Sequence, residues 1–431
     1  MIDFFKRFRS IWWVLLTYFL FSIINAFTVQ LFVIPKIFSD HHHTNGLLIN
    51  TDSTEFHKFA CDFAGSMKRN GLSSWKLNPV DNAHLQPATI TSLFYYFFVS
   101  EPWVILPLNA LLHALGGFIL FYISFKITNR TWIGIASSLA FVLFPSTLTW
   151  YAQIHRDGFF IVGCYCLALS TLWAGENLTS KTLPKIITSS LAGAFCIYLS
   201  REYAVFIIIG ACVISILLHR IYILIKNKKY LLPAISISVG TITFLIIIIY
   251  GRIEHGNWEN LPGSEWKYSK WIPNEMEHQL LGIAKRREFF FLEHPDANTH
   301  LDKDRSFNSA MDVLSYIPKS LVNTYFYPFP ISGEKSGSGV AMKVASLEMT
   351  IIYLIYAVLL IIIICRQRIR LHCGLFTYAV LSIIPFALAI SNLGTLYRIR
   401  YFSVMLMLCL LITSILQVIG NRTSTKKKEA L

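Results

Sequence analysis

Long apolar stretches separated by short polar connections occupy most of this 431-residue chain. The segment IIYLIYAVLLIIIIC at 351–365 is apolar around its whole circumference, whereas a helix on a soluble domain has one apolar stripe. Many stretches reach the roughly 20 residues that a helix needs to cross a bilayer. About ten spans are predicted on this basis, over residues 11–33, 107–127, 132–151, 158–173, 183–199, 203–225, 231–250, 347–365, 371–391 and 402–419. The pattern therefore predicts an all-α polytopic membrane protein.

The basic residues predict the orientation of these spans. With a cytoplasmic N-terminus, every inward connection contains lysine or arginine, as the positive-inside rule requires. These residues are Lys126, Arg130, Lys181, Lys185, Lys226, Lys228, Lys229, Arg366, Arg368, Arg370 and Lys426 to Lys428. Omitting one span would move all later basic connections outside, so both termini are predicted to be cytoplasmic. The same loops explain the net charge of +14 without a nucleic-acid partner.

Two long connections, 36–88 and 251–346, then lie on the outer face. The predicted organisation is a transmembrane core over 1–250, which includes the first loop, a loop subdomain over 251–346, and C-terminal helices with a basic tail over 347–431. After the first loop, the short apolar segment 89–99 predicts an interfacial or re-entrant helix. The second loop has an amphipathic helical pattern, and it closes with IPKSLVNTYFYPFPI, whose prolines argue against a continuous helix.

Composition excludes a soluble protein and a disulfide scaffold. Charged residues make up 14% of the chain, against about 25% in soluble domains. Of the eight cysteines, all except Cys61 lie in or beside apolar spans, and no zinc or redox spacing is present. The first apolar run is longer than a signal-peptide core and is predicted to be a retained anchor.

Ionisable residues at the outer ends of the spans are candidates for function, because charges near a membrane are costly unless they are paired, wetted or used. They form four groups along the chain. The candidates are Asp52 and Glu55, then His155, Arg156 and Asp157, then Arg201 and Glu202, and finally Arg398 and Arg400. Structural roles stay open for each group: Asp52 as a helix cap, the arginine–acid neighbours as local ion pairs, and Arg398 and Arg400 as contacts to lipid head groups.

Arginines and carboxylates on one face of a membrane suit a phosphate-bearing ligand and a proton acceptor. Arginine binds phosphate oxygens in a bidentate manner, and a carboxylate within hydrogen-bond reach can take a proton from a hydroxyl. Arg156, Arg201, Glu202, Arg398 and Arg400 are therefore the predicted substrate- and phosphate-binding residues. Asp52 and Asp157 are also candidates to share a divalent cation such as Mg²⁺ or Mn²⁺, a hypothesis that the sequence leaves open.

Five segments carry a resemblance to a known class of enzymes. They are TDSTEFHKFA at 51–60, HLQPATITSLFYYFF at 84–98, LPLNALLHALGGFILFYISFKIT at 106–128, FPSTLTWYAQIHRDG at 144–158 and GTLYRIRYF at 394–402. In this order they resemble the GT-C class of polyprenyl-phosphate-sugar-dependent glycosyltransferases, particularly bacterial relatives of the protein O-mannosyltransferases and lipid A aminoarabinose transferases. The resemblance is best over residues 11–250. It implies a GT-C-like core with a catalytic base in the first outer loop, Asp52 or Glu55, and a second acidic residue at Asp157.

The resemblance also implies the reaction and its setting. A sugar would pass from a polyprenyl-phosphate carrier to a hydroxyl of a glycan, lipid or protein acceptor, on the periplasmic face of a bacterial inner membrane. An O-antigen polymerase or ligase that uses a diphosphate-linked oligosaccharide is the alternative. A transporter fits less well, because the charges lie at the ends of spans and no internal repeat is found.

Overall fold

The computed structural model describes residues 2–49, 51–77, 85–175, 179–226, 266–293, 299–329, 340–364 and 372–429. Within these ranges the regular structure is helical, and only isolated β-bridges are present. The α-helices are α1 (Ile2–Thr28), α2 (Ile34–Ile37), α3 (Asp52–Asn70), α4 (Gln86–Phe97), α5 (Leu106–Thr128), α6 (Thr131–Leu143), α7 (Pro145–Trp150), α8 (Asp157–Gly175), α9 (Leu183–Tyr198), α10 (Ala204–Lys226), α11 (Asn274–Glu293), α12 (Ala310–Phe326), α13 (Val340–Ile364), α14 (Cys373–Ala389) and α15 (Leu393–Glu429).

The helices confirm an all-α, multi-pass architecture for the described part of the chain. Six segments are long and apolar enough to cross a membrane: Ile11–Ile37, Pro102–Thr128, Asp157–Gly175, Ala204–Ile223, Val344–Ile364 and Leu393–Gly420. The apolar helices α6, α9 and α14 are shorter and coincide with three further predicted spans. The predicted span 231–250 lies outside the described residues. The total number of crossings and their orientation therefore stay predictions.

Two predicted spans differ from a single regular α-helix. A π-helical turn, Val29–Val33, joins α1 to α2, so the first apolar helix extends beyond its predicted end. The predicted span 132–151 is divided at Phe144, whose backbone is extended because the next residue is Pro145. The helix that resumes, α7, has its N-terminus inside the protein.

Helices from the two loops pack on the bundle. Helices α3 and α4 pack against each other, and their shared core includes Phe56, Ala60, Ala64 and Tyr95. The predicted short helix after the first loop is thus present as α4. Helices α11 and α12 pack on each other and on α14 through a core that contains Val313, Tyr316 and Leu388.

The prediction of a broken helix over IPKSLVNTYFYPFPI is wrong in its first part. Helix α12 continues through Pro318 and ends at Phe326, shortly before Pro328. A proline inside a helix removes one backbone hydrogen bond. Here the buried face formed by Val313, Tyr316 and Thr324 keeps the helix continuous through tertiary packing.

Helices α5, α8 and α15 form the centre of the bundle. Each contains a long apolar segment, and most of that segment is buried by neighbouring helices. Helices α8 and α9 approach closely at Gly163 and Gly193, where a Cβ atom on Gly163 would lie 2.8 Å from the Gly193 carbonyl oxygen. Small residues permit such contacts between helices in membranes. This contact sets the start of α8 beside the turn that follows α9.

Candidate functional site

Four charged residues that are distant in sequence meet at one end of the bundle. Asp52 begins α3, Asp157 begins α8, Arg201 lies between α9 and α10, and Arg398 lies in the second turn of α15. Arg398 donates from Nε to Asp157 Oδ2 at 2.8 Å and from Nη1 to Asp52 Oδ2 at 3.0 Å, across 241 and 346 residues of sequence. Arg201 Nη2 donates to Asp157 Oδ1 at 2.6 Å. We call Asp52, Asp157, Arg201 and Arg398 the charged cluster.

The charged cluster is closed at one end and open at the other. The side chains of Asp157 and Arg201 are 1% and 2% exposed. Those of Arg398 and Asp52 are 28% and 33% exposed. A ligand therefore has access to the Asp52–Arg398 pair, while the Asp157–Arg201 pair forms the floor beneath it.

Local structure places both carboxylates at helix N-termini. The Asp157 backbone N–H donates to His155 Nδ1 at 3.0 Å, which orders the turn before α8. A helix N-terminus carries partial positive charge, so it favours the ionised form of Asp52 and Asp157. Arg201 is held from its other side, because its Nη1 donates to Tyr203 Oη at 3.0 Å.

The arginines of the site favour the ionised form of the Asp52 carboxyl. Burial of Asp52 opposes ionisation, but the charges of Arg398 and Arg156 outweigh it and lower the pKa of the Asp52 carboxyl. Burial and the nearby charge of Arg201 lower the pKa of Arg156 to about 10, so this guanidinium stays charged at neutral pH. Arg398 and Arg156 thus act on the charge of Asp52, and both act together with Arg201 on that of Asp157.

His155 beneath the site is neutral. Burial lowers its pKa to about 4, against the opposing effect of Asp157. Its Nδ1 accepts the Asp157 backbone N–H, and its Nε2 has no hydrogen-bond partner among the described residues. Protonation of His155 would add charge to a buried position and remove the acceptor of that backbone bond.

Stability should consequently decrease as the pH falls from about 6.5 toward 4. In this window the unfolded chain protonates its histidine first, because the pKa of folded His155 is lowered from 6.5 to about 4. Each pKa unit corresponds to about 1.4 kcal/mol for a buried group. The unfolding midpoint of the purified protein, measured across this pH range, should depend less on pH in His155→Asn. If the unfolding midpoint changed equally with pH in the wild type and in His155→Asn, the pH dependence would not come from His155.

Four residues predicted for the site lie outside the charged cluster, and one of them, Arg156, acts on the cluster through its charge. Glu55 and Glu202 are exposed, and the described structure records no ion pair for either side chain. Arg400 follows Arg398 by two residues, so its side chain projects from another face of the helix. It is buried, and Nη1 donates to the carbonyl oxygens of Asn323, at 3.0 Å, and Thr324. Arg400 therefore binds the C-terminal carbonyls of α12.

The structure does not give Asp52 the role of a helix cap. Thr51 is the N-cap residue of α3, and no side-chain capping bond forms there. The Thr51 hydroxyl donates instead to the Leu48 carbonyl oxygen at 2.9 Å. The Asp52 carboxylate contacts Arg398, as described above.

Sequence reasoning missed Glu348 in α13. This side chain is fully buried, and it accepts hydrogen bonds from Tyr397 Oη at 2.5 Å and from the Ser146 backbone N–H, at the start of α7, at 2.6 Å. Tyr397 precedes Arg398, so Glu348 helps to hold the start of α15 in place. The sequence did contain a signal for Glu348, because it is an acidic residue inside a predicted apolar span, and such a residue is costly unless it is paired or used.

The two carboxylates of the charged cluster do not fit a metal ion in this arrangement. The Arg398 guanidinium bonds to both, in the position that a shared divalent cation would need. Among the described residues, no group of three or more His, Cys, Asp or Glu side chains could hold a metal.

These features define a multi-pass α-helical membrane protein with a buried arginine–carboxylate cluster that opens at one end of its bundle. Comparisons of the chain with models of known protein families, with curated proteins and with solved structures gave no match. The geometry of the charged cluster is therefore the basis on which a function is assigned.

Proposed function

We propose that this chain is an integral-membrane glycosyltransferase of the GT-C class, which moves a sugar from a polyprenyl-phosphate carrier to an acceptor hydroxyl. The reaction would take place at the outer, periplasmic face of a bacterial inner membrane. The observation that carries the proposal is the contact of one partly exposed arginine, Arg398, with two carboxylates, Asp52 and Asp157. This arrangement combines a phosphate-binding group with a proton acceptor at one opening.

The donor phosphate would bind to the arginines. Arg398 is partly exposed, and Arg156 and Arg201 are near enough to act on the same charges. Charge-assisted bonds from arginine to phosphate are among the strongest that side chains make. The Asp157–Arg201 pair holds this surface in place before substrate binds.

The acceptor hydroxyl would be activated by Asp52. When Arg398 turns to a phosphate oxygen, Asp52 loses its main partner and becomes a stronger proton acceptor. The acceptor oxygen then forms a bond to the anomeric carbon, its proton passes to Asp52, and the bond from that carbon to the phosphate oxygen breaks. The electron pair leaves with the phosphate. The polyprenyl phosphate is a stable anion, so its departure needs no general acid.

The carrier tail would lie along apolar surface close to the site. Helix α4 packs against α3, which carries Asp52, and α4 ends at the exposed Phe97. Phe98 and Val99, which follow it, are also exposed. Exposed apolar side chains next to the opening provide a surface for an isoprenoid chain.

The test is turnover of the purified full-length protein with defined donors. Radiolabelled sugars on polyprenyl monophosphate, together with a cell-envelope extract as acceptor, should give labelled acceptor and free polyprenyl phosphate. Transfer from oligosaccharide diphosphates alone would instead favour a polymerase or ligase. Transport of a labelled solute into proteoliposomes, without transfer from either donor, would favour a transporter and contradict the proposal.

A further inference from the structure

A second basic feature lies in the segment that connects α10 to α13. Helix α11 and residues 300–307 line an open pocket of about 450 Å³, a size typical of small-ligand sites. Its polar wall consists of Arg287, Glu288, His300, Lys303, Arg305 and Ser306. None of these residues belongs to the charged cluster.

Arg287 is the central observation. It is 2% exposed, and Nη2 donates to the Leu301 carbonyl oxygen at 2.8 Å and to Tyr316 Oη at 3.4 Å. Its Nε and Nη1 atoms are buried and have no hydrogen-bond partner among the described residues. A buried charged donor without an acceptor carries a desolvation cost, which a bound anion with acceptor oxygens would remove.

The aromatic surroundings hold this guanidinium in place. Its central carbon lies 5.3 Å from the ring centroid of Phe307, 5.6 Å from that of Phe291 and 4.9 Å from that of Tyr316. Such cation–π contacts fix position but supply no hydrogen-bond acceptor. The carboxylate of Asp302, next to this wall, accepts bonds from Lys319, Tyr316 and Asn323.

The lining of the pocket carries a net positive charge among the described residues. Its charged side chains are Arg287, Lys303, Arg305 and Glu288, and the nearby Asp302, which Lys319 pairs with, also acts on Arg287. Lys303 is exposed, and Arg305 donates to Ser315 Oγ at 3.1 Å. A ligand with two negative charges and several acceptor oxygens would balance this surplus and satisfy Arg287.

From these observations we infer that the pocket between α11 and residues 300–307 binds a phosphate group, at a site separate from the charged cluster. The pocket is joined to the start of α15, because the Leu301 N–H donates to the Ser391 carbonyl oxygen at 2.8 Å and the Leu393 N–H donates to the Thr299 carbonyl oxygen at 3.0 Å. Arg398 follows in the same helix. The inference does not depend on the proposed transferase activity.

A phosphate group could come from a lipid head group or from a soluble phosphate compound, and binding experiments separate these sources. Calorimetric titration of the detergent-purified full-length protein with inorganic phosphate should give saturable binding. Lys303→Ala and Arg287→Gln should each raise the Kd at least about tenfold, the loss expected for one charge-assisted hydrogen bond. Lys270→Ala is the matched control, because Lys270 is an exposed lysine of the same connection outside the pocket. Its Kd should equal that of the wild type.

Titration with dihexanoyl phosphatidic acid and glycerol 3-phosphate identifies the source. Tighter binding of the lipid than of both soluble probes supports a lipid head group, and equal affinities support a soluble phosphate compound. If Arg287→Gln does not fold, Lys303→Ala still tests the pocket. The inference is overturned if none of the three probes binds, if Lys303→Ala and Lys270→Ala have the same affinity as the wild type, or if only Arg398→Gln weakens phosphate binding.

Discussion

Asp52→Asn is expected to reduce sugar transfer at least about a hundredfold, the usual contribution of a general base, while the protein still folds. The substitution keeps the size of the side chain and an acceptor oxygen for Arg398, but the amide cannot take a proton at neutral pH. Because the Asp52 side chain is 33% exposed, loss of its charge leaves no fully buried arginine without a partner. The measurement is initial transfer rate at saturating donor, with circular dichroism as the check on folding.

Glu55→Gln is the matched control for this experiment. Glu55 is an acidic residue of the same first turn of α3, and it is exposed and outside the charged cluster. Its substitution should leave the transfer rate within about twofold of the wild type, since surface changes away from a site have small effects. If Glu55→Gln abolished transfer and Asp52→Asn did not, the base would be Glu55 and the role assigned to Asp52 would be wrong.

Asp157→Asn is expected to destabilise the fold by about 3–5 kcal/mol, the cost of removing one partner from a buried ion pair. The Asp157 carboxylate binds Arg201 through one oxygen and Arg398 through the other. The amide of Asn keeps one acceptor oxygen, but it replaces the other oxygen with a donor and removes the negative charge beside the buried Arg201 guanidinium. The free energy of unfolding in mixed detergent micelles measures this effect. Transfer activity should fall as well, because Arg398 loses its support.

A neighbouring acidic residue and a double variant provide the controls. Glu202 is exposed, so Glu202→Gln should change the free energy of unfolding by no more than about 0.5 kcal/mol. Combining Asp157→Asn with Arg201→Gln should recover part of the lost stability, since the unbalanced buried charge is then removed. A stable Asp157→Asn protein without transfer activity would show that Asp157 acts in the reaction rather than in supporting the arginines.

The two carboxylates are thus expected to have different roles although Arg398 contacts both. Asp157 is closed off from solvent at the floor of the site, whereas Asp52 lies at the opening. Burial decides the difference, because a buried carboxylate between two arginines has no route to a substrate proton. Stability measurements and transfer rates on the same variants separate the two roles.

The sequence by itself determined the class of the fold and the approximate positions of its helices. Long apolar runs must form helices in a bilayer, because the backbone has no water with which to bond there. Pro145 predicts a local break through its effect on the preceding residue, although the break was not expected inside the predicted span. Candidate site residues could also be identified, since the sequence shows which charged side chains lie at the ends of apolar runs. These features depend only on residues that are close in the sequence, so the sequence is sufficient to identify them.

Only the tertiary structure decided which of these candidates act together. Asp52 and Glu55 are both acidic residues of the first turn of α3, yet Asp52 bonds to Arg398 whereas the Glu55 side chain is exposed. Arg398 and Arg400 form one motif, but the helical rotation between them sends Arg400 to the end of α12. The unsatisfied donors of Arg287 could not be predicted from the sequence either, since they depend on which distant groups surround that side chain. Helix periodicity and burial are local properties of a sequence, whereas the partners of a buried charge are set by contacts between segments hundreds of residues apart.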